Sequence, residues 1–155
     1  MESNPAAPEI VRIDAASARR SARLFSLGNL FAMLPGLILA PLILLTRPEG
    51  TTMIYMFVLM MVPPILWFGI SIMVYIIARH HPDPKVGEYT QHAAYRYYGM
   101  FGIVIPVGTF FGTNWQLWIL TGGIVALVLI PWSLRDLWRI NRDGWQDTQI
   151  ERTPV

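Results

Sequence analysis

The chain has 155 residues, of which 54% are hydrophobic and only 14% charged, with mean hydropathy +0.42 and a net charge of +2. Soluble domains carry charge on about a quarter of their residues, so this composition disfavours one. The sequence contains no cysteine. That excludes a disulfide framework, a thiolate metal or iron–sulfur centre, a thiol nucleophile and the quinone-coupled disulfide oxidases of similar size.

In chain order, the first 23 residues form a short tail carrying Arg12, Arg19, Arg20 and Arg23. Ile10, Val11 and Ile13 alternate loosely with Glu9, Arg12 and Asp14 before a small-residue, arginine-rich stretch, Ala15 to Arg23, and a surface-lying amphipathic helix is expected there. No charged residue or histidine then occurs from Leu24 to Thr46. A helix over 24–45 would extend roughly 33 Å, enough for a hydrocarbon layer of ~30 Å. This run exceeds the ~7–15 residues of a signal-peptide core and lacks a small-residue cleavage pattern, so a retained span is expected. Thr46-Arg47-Pro48-Glu49-Gly50 is a turn built from breakers, with Glu49 expected to neutralise Arg47.

A second span is expected over 51–78, with the tandem Pro63-Pro64 as a kink near its middle. The segment to Arg96 reads as a loop around Pro82, Pro84 and Gly87, containing all three histidines, His80, His81 and His92. The charge-free stretch Tyr97–Leu134 is long enough for two helices, divided at Gly112-Thr113-Asn114-Trp115 into spans of about 97–112 and 115–134. Tyr95, Tyr97 and Tyr98 resemble an aromatic interface belt. Residues 135–155 form a second tail, in which Leu137, Trp138 and Ile140 share space with Arg135, Arg139 and Arg142; the helix should continue out of the bilayer along the anionic leaflet.

The expected fold is an all-α integral membrane protein: a four-transmembrane-helix bundle over 24–134 with short amphipathic tails. Eleven of the twelve basic residues fall in the tails or the middle loop, leaving Arg47 alone on the other side. By the positive-inside rule both termini are cytoplasmic, and a bacterial inner membrane is the expected location.

Spacing of four places Gly28, Ala32, Gly36 and Ala40 on one helical face, and Gly108 and Gly112 form a second such pair. Such faces permit close backbone approach, either to the bundle's own helices or to a partner protein or second copy. Three imidazoles with Asp83 and Glu88 have the chemistry of a metal site, but their spacing matches no metal motif. His80, His81 and His92 are therefore weak candidates, better explained as headgroup neighbours. No acid, P-loop, dinucleotide fingerprint or nucleophile–base pair lies within the spans.

The expectation is a non-enzymatic protein without a cofactor, in contact with the lipid bilayer and a membrane-protein partner, and not with nucleic acid. In size and helix count it resembles small inner-membrane proteins, among them accessory subunits of larger complexes and immunity proteins against pore-forming bacteriocins. That likeness is topological, with no shared motif. An accessory or assembly subunit is the leading reading; toxin immunity and a small transporter or channel are the alternatives.

Overall fold

The computed structural model describes residues 9–152. The outermost parts of the two tails, 1–8 and 153–155, lie outside the described residues. Four helices follow one another: α1 (Ala15–Thr46), α2 (Gly50–Arg79), α3 (Pro84–Phe111) and α4 (Trp115–Arg142). A short strand flanks the set at each end, β1 (Glu9–Ile13) and β2 (Thr148–Arg152).

The helix starts are chemically explicit. Asp14, Asp83 and Asn114 have extended backbones, and their side chains accept from the first free amides of α1, α3 and α4. An N-cap of this kind removes one of the unsatisfied donors every helix start exposes. Pro84 occupies the first turn of α3, where its missing N–H costs nothing. Helix α1 ends at Arg47, whose left-handed backbone (φ 47°) lets its N–H bond to the Ile43 carbonyl at 2.9 Å.

Turns at 47–49, 80–83 and 112–114 reverse the chain three times, so successive helices run antiparallel. Helix α1 shares its largest interface with α4 and also packs on α2 and α3, whereas α2 and α4 scarcely meet. The cross-section is a rhombus with α1 and α3 across its short diagonal. Only Met60, Ser71 and Ala78 of α2 are buried, leaving an outward face of large apolar side chains such as Ile54, Leu66 and Ile77. Helices α1, α2 and α4 are long and apolar enough to cross a membrane, as a multi-pass protein in contact with lipid requires. Helix α3 is diluted by Arg96 and its tyrosines.

Two expectations require correction. Only the Ala15–Arg23 part of the first tail is helical, as the start of α1, and the segment before it is a strand: β1 pairs antiparallel with β2, Ile10 opposite Glu151 and Arg12 opposite Gln149. The two strands thus satisfy backbone groups with each other and stand together at one end of the bundle. Second, the middle loop is only 80–83, because Pro84 and Gly87 lie in the first turn of α3. The tandem Pro63-Pro64, where a kink is expected, lies within one continuous helix, α2.

Candidate functional site

The polar chemistry collects at the end that holds the termini. Arg12 bonds to Asp147 at 2.6 Å, and the other Asp147 oxygen accepts the Ala15 amide at 3.0 Å. That backbone bond and then the guanidinium hold the Asp147 carboxyl below its ordinary pKa. The Lys85 ammonium donates to the Gly144 carbonyl at 2.9 Å, which draws the post-α4 segment over the start of α3. The Tyr89 hydroxyl donates to Asp143 at 3.0 Å; burial first, and then this bond, push its pKa up to about 12.

Between α3 and α4 this end encloses a cavity of about 230 Å³, bordered by Glu88, Tyr89, His92, Arg96, Asp136 and Arg139. Its inner boundary is the Arg96–Asp136 ion pair, in which Asp136 is nearly buried and the Arg96 guanidinium lies over the Trp132 ring. Spacing along the chain gave no sign of this pair, whose members are 40 residues apart. A signal did exist on α4 itself. Leu129, Ser133, Asp136 and Ile140 recur at helical period and are all buried, while Arg135, Arg139 and Arg142 face outward.

Deeper in the bundle, Phe25, Trp67, Phe68, Tyr97, Tyr98 and Phe101 form a continuous aromatic cluster, most of its rings meeting edge to face. Its polar edges are paired. Trp67 donates to Asn29 at 2.8 Å, Ser71 and Tyr98 share a hydrogen bond, and Tyr97 donates to the Pro64 carbonyl at 2.9 Å. Phe25 and Tyr97 are fully buried, so the cluster fills the space where α1, α2 and α3 meet.

Beyond Phe101 the packing changes. Every buried residue of α3 lies between Val86 and Tyr97, and its second half exposes Ile103, Ile105, Phe110 and Phe111. A cleft of about 510 Å³ opens there between α2 and α3, backed by α1 and α4. Its back wall includes Met33, Gly36, Gly122 and Val125, and its flanks include Met61 and Ile105.

The small-residue face of α1 is spent inside the bundle. At Gly28 a side chain would collide with the Trp67 ring; at Gly36 a Cβ would stand 3.4 Å from the Cβ of Ala126 and the carbonyl of Gly122. Ala32 is buried, and Ala40 packs on Gly123. On α3, a Cβ at Gly108 would come within 2.8 Å of Trp118, whose indole N–H bonds at 3.1 Å to the carbonyl of Gly112, the exposed residue that follows the helix.

The histidines are dispersed. His80 bonds to the Ile76 carbonyl, His81 accepts from the Asp83 amide, and His92 borders the polar cavity from within α3. Among the described residues no group of three or more histidine, aspartate or glutamate side chains is placed to hold a metal ion. Nor is Arg47–Glu49 among the ion pairs of the described residues, which join Arg12 to Asp147, Lys85 to Asp143 and Arg96 to Asp136.

Comparison with protein-family models, with curated proteins and with solved structures gives no match for this chain.

Proposed function

We propose that this is a non-enzymatic, four-span membrane protein with both termini in the cytoplasm, serving as an accessory or assembly subunit of a larger complex in a bacterial inner membrane. Three turns of three or four residues support the fourth crossing: if α2 and α4 both span, α3 must return the chain between them. The basic residues support the orientation, since eleven of twelve belong to the end carrying the termini, the α2–α3 turn and the flanking helix ends.

The observation that carries the reading is the aromatic cluster. Its buried rings close the bundle interior between the polar end and the apolar cleft, and its polar atoms are bonded to Asn29, to Ser71 and to the Pro64 carbonyl. A carrier of ions or polar solutes needs ionisable or hydrated groups along such a path. This interior is built to hold helices together. Because α1 spends its small-residue face on α2 and α4, a partner must meet the bundle elsewhere. Helix α2 offers the largest apolar surface for a neighbouring span.

Purification in mild detergent followed by mass spectrometry tests the proposal. A stoichiometric second membrane protein is expected, lost when Leu66 and Ile70 on the outward face of α2 are both changed to alanine. A solitary protein that instead conducts or exchanges solute in proteoliposomes would overturn it.

A further inference from the structure

We propose that the cleft between α2 and α3 is a binding site for one acyl chain of a bilayer lipid, entering sideways from the leaflet away from the chain termini. The inference rests on α2 and α3 lying in the bilayer and is independent of any protein partner.

Depth, size and lining all favour this occupant. Along α3 the cleft runs from Phe101 to Thr109, roughly 12 Å of helix axis, close to half of a hydrocarbon layer of ~30 Å. Its outer limit, at Gly108 and Trp118, lies about one helical turn below the residues that close the bundle at that end, Gly112 and Asn114. It therefore spans one leaflet. The volume of about 510 Å³ falls within the roughly 300–1,000 Å³ of ordinary ligand clefts.

No charged side chain borders the cleft, and its two hydroxyls are those of Thr121 and of Thr109, the latter already bonded to the Ile105 carbonyl at 2.9 Å. A water there would find few of the partners it needs, so hydration is disfavoured. Leaving the space empty forfeits dispersion contacts along every wall. Hydrocarbon restores those contacts, and the adjoining leaflet supplies it. The walls suit a flexible chain: Met33, Met60 and Met61 adapt their shape to an occupant, while Gly36, Gly108 and Gly122 keep the groove deep.

The cleft stays open because α3 is fixed to α2 at one end only. Phe68 stacks on Phe101, and Ser71 bonds to Tyr98, fixing α3 to α2 up to that level. From there to Phe111 no hydrogen bond or aromatic contact joins the two helices among the described residues. The mouth lies between Ile65 and Ile105, both well exposed.

The test uses the purified protein alone in phosphatidylcholine vesicles doped with phosphatidylcholine that carries a photoactivatable diazirine midway along one chain. After illumination, adducts are expected on Met33 and Val125, which at 4% exposure lie behind the reach of surrounding lipid. In Gly122→Leu, whose added Cβ would stand 3.2 Å from the methyl ends of Met60 and Met61, these back-wall adducts should fall at least tenfold. Gly102→Leu, on α3 where a Cβ meets nothing within 4 Å, should leave them unchanged. If Gly122→Leu fails to insert, Met61→Trp fills the cleft from the opposite wall and should give the same loss. Adducts confined to outward-facing side chains such as Ile65 and Ile105 would overturn the proposal, as would back-wall labelling that survives both filling variants.

Discussion

One nitrogen of the Arg96 guanidinium lies 2.9 and 2.7 Å from the two carboxylate oxygens of Asp136, and this ion pair bolts α3 to α4 at the inner edge of the polar end. Asp136 is 7% exposed and Arg96 29%, so solvent screens the pair only in part. Removing one partner of a buried pair leaves an uncompensated charge, at a cost of about 3–5 kcal/mol when both groups are fully buried. With Arg96 partly exposed and resting on Trp132, Asp136→Ala should cost about 2–3 kcal/mol. The double change Arg96→Met with Asp136→Leu should recover most of that loss. Unfolding in mixed micelles by denaturing detergent measures both; equal destabilisation by the single and double variants would refute the pairing.

The packing face of α1 leads to a contrast between glycines on different surfaces. Gly28→Leu should force the Trp67 ring aside and break its bond to Asn29, costing about 3 kcal/mol by overpacking and loss of a hydrogen bond. Gly36→Ile should separate α1 from α4 and lower the unfolding midpoint in the protein by itself, with no partner present. Ile38→Leu, on an exposed position, should change stability by less than about 0.5 kcal/mol. An unchanged midpoint for Gly36→Ile would show that the α1–α4 contact is dispensable.

Acid should loosen the tails before it affects the helices. Asp147 has its pKa lowered in the folded chain, so its ionised form is the one that folding favours. That contribution is complete above the ordinary carboxylate value, 3.8, and is lost as pH falls through the depressed folded value. Spin labels at Ile10 and Gln149, which leave Arg12 and Asp147 in place, should remain close at pH 7 and separate only when the pH falls well under 3.8, with helix content unchanged. Because Arg12 and Asp147 are exposed, the bond between them should also weaken in high salt. Separation already at pH 5 would contradict the assignment.

The absence of cysteine makes orientation directly measurable. Single cysteines at Glu49 and Asn114 should react with a membrane-impermeant thiol reagent added outside intact cells, and a cysteine at Lys85 only after lysis. Labelling of the Lys85 position from outside would invert the topology.

Charge distribution made the helix count and the sites of the turns legible, because a span in lipid cannot carry the residues that mark its ends. The first turns of α3 escaped that test. From Pro84 to Arg96 the helix is polar outside and buried through Val86, Thr90, Ala93 and Ala94, a pattern that a search for charge-free runs discards. The capping pair Asp83-Pro84 was the local clue to its start. The small-residue stripe on α1 could be read as a close-packing face, but its neighbour could not: Trp67 and Gly122 lie far along the chain. For the same reason neither the β1–β2 pairing nor the Arg96–Asp136 bond was visible, since each depends on the chain having already turned back three times.

The dominance of the α1–α4 interface also imposes a schedule on synthesis. Helix α1 is complete at Thr46, yet Trp115, the first residue of α4, is still dozens of residues from being made. At ~5–20 residues per second the wait lasts several seconds. During that interval Gly36 and Ala40 have no α4 to pack against, and Asn29 lacks its indole donor until Trp67 arrives. A nascent chain in that state resembles a zip with one side missing until α4 enters. The β1–β2 pair, whose second strand ends at Arg152, can close only after that.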